Sequence, residues 1–325
     1  MKQQYFWDKK LRMNSKIIIK KPILGIAAGC FALFTTVAML IAGRIGASGD
    51  SLTIWDLAGI RQGGAALIAL PLLLYTKPWK MRPSQYLVNA IFGGAPMILL
   101  LFGGMVYAPA FHAGVFMNGT LPIAATLITC IWLREYPNLW QRIGIAIIVF
   151  GMLIIGWQTI GSVMPSQWKG HLLFIASGIW LSAWYVAIRA WHQNVMQTLC
   201  ALLVLNALVY VPIWLAFLPS KIWTAPIEDL VLQIVVHSLF GAFLAIFGHS
   251  YAASTIGPMR QSAIMSGAPV LVLLFSVPLL GEKLTITGVF GALAVTLGIL
   301  FVIGIRLPNK KKLTEFKTRE KIKLL

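Results

Sequence analysis

The sequence predicts an all-α membrane protein whose ten transmembrane helices form two inverted five-helix repeats. The 325 residues are 58% hydrophobic and 11% charged, with a mean hydropathy of +0.81. A soluble chain of this length could not bury that much apolar surface. Long stretches lack Asp, Glu, Lys and Arg, and the one between Arg82 and Arg134 has room for two membrane helices. A pattern in Met117–Gly156 recurs at Ile264–Ile303.

The charge-free stretches place the helices in order along the chain. Backbone in lipid must close its own hydrogen bonds, and these runs are too long and alternate too little for barrel strands. Helix 2 differs from the others in carrying one arginine, Arg61, inside the span. We expect helices at about 22–43, 56–75, 86–106, 111–133, 140–158, 170–189, 197–218, 229–252, 259–280 and 285–305.

The repeated pattern is an apolar span with a proline, a turn with a glutamate, and an apolar span with two glycines. The paired positions lie 147 residues apart: Pro122 and Pro269, Glu135 and Glu282, Gly144 and Gly291, Gly151 and Gly298. Weaker matches join Gly94 to Gly241 at the same offset, and Gly25 and Arg44 to Gly170 and Arg189 at an offset of 145. Five helices per copy is an odd number, so the second copy must enter from the opposite side of the membrane.

The repeat and the charged segments predict the domain organisation. It comprises a basic tail at 1–21, a first repeat at 22–161, a linker at 162–169, a second repeat at 170–305 and a basic tail at 306–325.

Positive charge concentrates on one predicted side of the membrane. Seven of the 27 Lys and Arg lie in residues 1–21 and eight in residues 306–325, and 22 against 4 fall on the side of the termini. This bias predicts a multi-pass membrane protein with both termini cytoplasmic. We expect the basic tails either to contact anionic lipid head groups or to serve only as topology signals. We expect no nucleic-acid partner. The expected oligomeric state is a monomer or a homodimer.

No acidic residue lies near the middle of a predicted span, although the chain has nine Asp and Glu. This removes the reagents for aspartyl proteolysis, for a zinc site with a glutamate base and for carboxylate-driven proton exchange. Cys30, Cys130 and Cys200 lack paired spacing and are interpreted as small apolar residues. We therefore expect no enzyme activity, no cofactor and no metal.

Arg61 and the histidines are the candidate charged groups within the membrane. Arginine inside a span costs a few kcal/mol unless it has a partner or a wet cavity. Arg61 is therefore either a contact for a solute carboxylate or phosphate, or a snorkelling side chain paired with a carbonyl or with Asp56. His112, His237 and His249 could carry a proton near neutral pH, or be neutral and bonded to carbonyls. We expect His171 to be interfacial.

Aromatic and polar side chains supply further candidate solute contacts. Trp180 and Trp184 are four residues apart and share a helix face, which favours either stacking on a solute or aromatic packing. Polar groups on helices 4 and 9 favour solute contacts or helix–helix hydrogen bonds. The candidates beyond the tryptophans, Arg61, His112 and His249 are Tyr107, Asn118, Tyr251 and Gln261.

The repeated prolines, glutamates and glycines are interpreted as hinge or structural positions. Pro122 and Pro269 should kink helices 4 and 9, and the glycines seven apart should form a close-packing face. Glu135 and Glu282 either complement the dipole of the following helix or act in gating.

The motifs as a set resemble one known family. They include Gly93-Gly94-Ala95-Pro96, Tyr107-Ala108-Pro109-Ala110 and the repeated pattern that ends in Leu280-Gly281-Glu282-Lys283-Leu284. The chain is similar to the EamA-type branch of the drug/metabolite transporter superfamily over about residues 22–305. It departs from the family at Arg134-Glu135-Tyr136 and Phe34-Thr35-Thr36. The resemblance implies ten helices, inverted halves and a central cavity with alternating access.

The predicted function is a secondary transporter for a small organic solute, with export of an amino acid or an amphipathic metabolite or drug as the first choice. A nucleotide- or nucleoside-type carrier and a channel-like facilitator are the alternatives. A membrane-embedded enzyme or lipid-handling protein would need a nucleophile–base or metal cluster at one depth.

Overall fold

The computed structural model describes residues 22–160, 166–256 and 258–304. Within these ranges ten helices are long and apolar enough to cross a membrane, which confirms the predicted fold class. The predicted tails, linker residues 162–165 and Gly257 lie outside the described residues.

The observed helices, numbered in chain order, lie within a few residues of the expected spans. The unbroken ones are α1 Pro22–Ser48, α2 Ile54–Thr76, α4 Ala110–Trp132, α5 Leu139–Ile160, α6 Gln167–Ala190, α7 Val195–Phe217 and α10 Ile286–Ile303. The composite ones are α3 (Pro83–Val88, Asn89–Gly93 and Ala95–Tyr107), α8 (Ile227–Gln233, Ile234–Leu244 and Ala245–Ile256) and α9 (Pro258–Met265 and Ala268–Leu280).

Local sequence explains where several helices begin and end. Thr53 and Asp56 form a reciprocal capping box at the start of α2, and the Thr285 hydroxyl accepts the Gly288 N–H at the start of α10. Helix α9 ends at Gly281 with φ +65°, a left-handed conformation that glycine adopts without a steric cost.

Two helices contain a π-helical stretch at positions that the repeat makes equivalent. The stretch in α3 covers Asn89–Gly93, and the stretch in α8 covers Ile234–Leu244. Glycines matched in the repeat lie at these places, Gly94 directly after the first stretch and Gly241 inside the second. Such stretches are rare, disturb the regular hydrogen-bond ladder and occur often at functional sites.

The two repeated prolines occupy different local structures, in contrast to the expectation of matched kinks. Pro122 lies inside α4, which is assigned as one helix. Helix α9 is interrupted at residues 266–267, and Pro269 opens its second segment, where a missing N–H removes no helical bond. The irregularity around Pro269 is thus a break ahead of the proline.

The two halves interlock through exchanged helices. The first helix of each half packs on the third helix of the other half, α1 on α8 and α6 on α3. Two further contacts join equivalent helices directly, α2 with α7 and α5 with α10. The repeated glycines lie in the α5–α10 contact, where a Cβ on Gly144 would lie 2.6 Å from the Gly298 carbonyl oxygen and one on Gly151 would lie 2.9 Å from that of Gly291.

We predict that Gly144→Ala lowers the apparent melting temperature of the purified protein, because its methyl group would meet backbone that cannot yield. Overpacking of this kind costs about 1–3 kcal/mol. Gly156→Ala in the same helix is the matched control, since a Cβ there meets nothing within 4 Å. Equal melting temperatures for the two variants would contradict the close backbone packing.

Candidate functional site

Two arginine–glutamate ion pairs occupy equivalent positions in the two halves. Arg44 Nε lies 3.8 Å from Glu282 Oε1, and Arg189 Nη2 lies 2.7 Å from Glu135 Oε2. The glutamates are partners in the 147-residue repeat and the arginines in the 145-residue offset. Because the halves are inverted, the pairs lie on opposite sides of the membrane, and we call them the Glu282 gate and the Glu135 gate.

The Glu282 gate is closed. Its arginine and glutamate side chains are only 17% and 9% exposed. Arg44 Nη1 also donates to the Met105 carbonyl, and the Ala110 N–H donates to Glu282 Oε1 at 2.7 Å. Burial raises the pKa of the Glu282 carboxyl, against the lowering effect of the Ala110 N–H and Arg44. Desolvation therefore outweighs the attraction at this carboxyl, which is common for buried ion pairs.

The gate glutamates do not serve the dipole of the helix that follows them. Thr285 caps α10, and neither α5 nor α10 has an acidic residue in its first turn. Glu282 instead accepts from the first residue of α4, Ala110, so its charge lies at the positive end of a helix in the other half. Glu282 thus lies at the N-terminus of α4, and its contact is with that helix.

A buried histidine pair lies close to the Glu282 gate. His112 Nδ1 and His171 Nε2 are 2.8 Å apart, and each residue is 6% exposed. The Phe116 ring stacks on His171 with centroids 4.0 Å apart. His171, which we expected at the membrane interface, is therefore part of a buried cluster with His112 and Phe116 that joins α4 to α6.

The Glu135 gate is open to solvent. Its arginine and glutamate side chains are 59% and 52% exposed although their atoms are in contact. A cavity of about 240 Å³ reaches from this pair to Pro122 and Thr126 in α4. A larger cavity of about 820 Å³ opens on the same side, between the ends of α1, α5, α8, α9 and α10.

Arg61 lies where the halves meet. Its Nη1 is 3.1 Å from Met39 Sδ and 3.4 Å from the His237 carbonyl oxygen, in the π-helical stretch of α8. Tyr185 of α6 is close enough for charge interaction with Arg61 and is 51% exposed. Arg61 of the first half and Tyr185 of the second half thus interact electrostatically across the contact between the halves.

Asp56 is not the partner of Arg61. It is fully buried and accepts hydrogen bonds from the Trp214 indole, the Ser220 hydroxyl, the Lys221 N–H and Thr53. These bonds tie the start of α2 to the end of α7. Of the alternatives for Arg61, a carbonyl contact is present and the Asp56 pair is not.

Asn206 of α7 is the structural counterpart of Arg61. A Cβ on Gly241 would lie 3.1 Å from Arg61 Nη1, and one on Gly94, the repeat partner, would overlap Asn206 Oδ1. Asn206 Oδ1 accepts the Ala95 N–H at 3.1 Å and its Nδ2 donates to Leu202 O at 2.9 Å. The neutral amide of Asn206 thus lies beside the π-helical stretch of α3, and the cation of Arg61 lies beside the equivalent stretch of α8.

Trp180 and Trp184 of α6 pack on the π-helical stretch of α3. Trp184 is 7% exposed, and its indole N–H donates to Asn89 Oδ1 at 2.9 Å. Trp180 lies 5.6 Å from Phe92 between ring centroids, and its buried indole N–H has no partner among the described residues. Trp184 is placed in aromatic packing, while Trp180 keeps a free donor.

The remaining candidates lie at several depths. Tyr107 is at the end of α3 near the Glu282 gate, with Lys169 Nζ 5.8 Å from its ring centroid. His249 Nδ1 and Gln261 Nε2 are 2.9 Å apart and join α8 to α9, and Tyr251 is partly buried. The buried Nδ2 of Asn118 has no partner in the described part of the chain. The candidates do not form one cluster.

Sequence reasoning omitted Arg44, Arg189 and Asn206 from the candidate site. The first two carried a signal, because they recur at the offset of 145 as the glutamates recur at 147. Asn206 also lies 145 residues after Arg61, but its residue type differs, so the sequence match gave no sign of the equivalence that the contacts with Gly94 and Gly241 show.

We predict that Asn206→Ala lowers the melting temperature of the purified protein, because it leaves the buried Ala95 N–H without its acceptor. Such a loss costs about 1–3 kcal/mol. Arg61→Asn is the comparison, and we expect it to retain most of the stability because asparagine already fits the equivalent place. A destabilisation by Arg61→Asn as large as that by Asn206→Ala would contradict the comparison.

The comparisons with known proteins agree with this two-part architecture. The sequence profile of the EamA-like transporter family matches residues 23–157 and again 168–304. The chain is 22% identical over 246 residues to the uncharacterized transporter YoaV of Bacillus subtilis (strain 168), covering 73% of this chain and 82% of that protein. It is 26% identical over 234 residues to an uncharacterized transporter of Archaeoglobus fulgidus, covering 69% and 79%. A solved crystal structure matches the fold with a TM-score of 0.61 at 14% identity, covering 87% of this chain and 99% of that one.

Proposed function

Because the chain belongs to the EamA-like transporter family, as its sequence motifs predicted, we propose that it is a secondary carrier that moves a small organic solute by alternating access. Its family and its named relatives are transporters and not enzymes, and its ten candidate spans make it a multi-pass membrane protein. The proposal adds the mechanism, in which the Glu282 gate and the Glu135 gate close in turn.

The difference in exposure between the two gates carries the proposal. The same pair of residue types is 17% and 9% exposed on one side and 59% and 52% exposed on the other. Equivalent residues in an inverted repeat can exchange these environments without new contacts of a different kind. In the exchanged state, Glu135 and Arg189 would be buried while Glu282 and Arg44 would meet water.

The energetics permit such an exchange. An exposed ion pair contributes about 0–1 kcal/mol, and a buried one loses much of its attraction to desolvation. Neither ion pair therefore stabilises the closed state of its gate by a large free energy. A solute with different affinities for the two states can shift the equilibrium between them.

The positive charge of the tails and loops supports a cytoplasmic location of the Glu135 gate. The observed state is then inward-open, in a bacterial inner membrane. The solute is an amino acid or an amphipathic metabolite or drug, and export is the proposed direction. A channel-like facilitator would leave both gates open together and is an outcome of the test below.

We predict that Arg44→Gln opens the Glu282 gate, because it leaves the Glu282 carboxylate buried without its cation. Breaking a buried pair costs about 3–5 kcal/mol, and a change of 1.4 kcal/mol is already tenfold in an equilibrium. The readout is alkylation of a single cysteine at buried Ser276, six residues before Glu282, with Cys30, Cys130 and Cys200 replaced by alanine. Labelling should accelerate at least tenfold.

A second cysteine at Thr126, which lines the cavity beside Glu135, should become less reactive in the same variant. Arg260→Gln is the matched control, and we expect less than a twofold change at either probe because Arg260 is exposed and belongs to neither ion pair. Faster labelling at both probes would indicate a loosened fold or a channel. No change at either probe would remove the Glu282 gate from the mechanism.

Transport itself is tested by counterflow of radiolabelled amino acids in proteoliposomes. A carrier gives saturable counterflow that Arg44→Gln reduces. Flux that does not saturate with solute concentration would instead support a channel-like facilitator.

A further inference from the structure

Arg61 carries a charge that has no ion-pair partner among the described residues. Ion pairs among the described residues join Arg44 to Glu282 and Arg189 to Glu135, and neither includes Arg61. Asp56, five residues earlier in α2, is engaged by Trp214, Ser220 and Lys221. A guanidinium held inside a membrane protein without a carboxylate is costly, and such residues usually mark a solute or ion path.

The hydrogen-bonding capacity of Arg61 is also largely unused. A guanidinium has five N–H donors, and the contacts of Arg61 in the described chain involve Nη1 alone, to a thioether sulfur at 3.1 Å and a carbonyl at 3.4 Å. Neither is a strong acceptor at a short distance. Beside it, both ring nitrogens of fully buried His237 lack a partner among the described residues.

The equivalent position in the other half of the repeat is occupied by a neutral residue, Asn206. Asn206 lies against Gly94 as Arg61 lies against Gly241, and both Asn206 amide atoms are bonded to backbone. A neutral side chain therefore satisfies the backbone next to the irregular stretch. The positive charge at Arg61 is an addition that the fold does not require.

Arg61 lies next to a helix of the other half, because it interacts electrostatically with Tyr185 of α6. Tyr185, on a helix of the other half, lies within charge-interaction range and keeps 51% of its surface exposed. A solute between α2 and α6 would meet the guanidinium from one half and a phenol from the other. It would thus contact both halves, which alternating access requires.

We infer that Arg61 binds the carboxylate of the transported solute, so that the cargo is a small organic acid, free or as an amino acid, with one negative charge on the bound group. The inference rests on the proposed carrier function and names its substrate class. A planar guanidinium pairs with a carboxylate through two parallel hydrogen bonds. One arginine balances one negative charge, so a phosphate dianion would bring a second charge without a counterion into the low-dielectric interior.

The test is direct binding to the purified full-length protein, followed by thermal shift. The probes are phenylalanine, leucine, benzoate and indole-3-acetate, each paired with its carboxamide, together with phenyl phosphate. At least one acid should stabilise the protein and bind at least tenfold more tightly than its amide and than phenyl phosphate. Arg61→Asn should abolish this difference while remaining folded, and Arg61→Lys should keep part of it.

Arg260→Asn is the matched control, because it removes a positive charge from the wall of the 820 Å³ cavity instead. It should leave the preference for acid over amide unchanged. The inference is overturned if no acid is preferred over its amide, if phenyl phosphate binds best, or if Arg61→Asn keeps the preference. Counterflow is scored separately, so a protein that binds acids through Arg61 yet shows no counterflow would refute the carrier function alone.

Discussion

The constraint on which the structure depends is that one inverted repeat supplies the same arginine–glutamate pair twice, while the observed packing buries only one of the two pairs. Arg44 and Glu282 are enclosed with the N-terminus of α4, and Arg189 and Glu135 remain in contact with water. Both pairs consist of the same residue types at equivalent positions. Their environments differ with the arrangement of the helices that surround each pair.

The helix packing explains how such a difference can arise without loss of the fold. Contacts between α5 and α10 join backbone to backbone through glycines, so this region is a close-packed unit. The irregular stretches lie elsewhere, in α3 and α8 and at the break in α9. Because π-helical segments and breaks loosen the regular hydrogen-bond ladder, these three helices are the places where the halves can adjust.

Much of the fold follows from the sequence, since the charge-free stretches fix the ten spans and the matched glutamates fix the repeat. The site follows less completely. Arg61 was identified because a charge inside an apolar span is conspicuous, but Asn206 was not, because an amide in a span gives no comparable signal. His171 was assigned to the interface from its place near the start of α6, whereas packing against His112 and Phe116 buries it. Long-range contacts of this kind have no local pattern.

The central claim is that the gates close in turn. It is tested most directly by measuring distances between spin labels across each gate with double electron–electron resonance. One protein carries spin labels at exposed Asp50 and Lys283, on the Glu282 side, and a second carries them at exposed Tyr136 and His192, on the Glu135 side. Each is measured in nanodiscs with and without a solute that binds. The account predicts opposite changes, so that the 50–283 distance lengthens in the population in which the 136–192 distance shortens. Distances that lengthen together, or that never change, would contradict it.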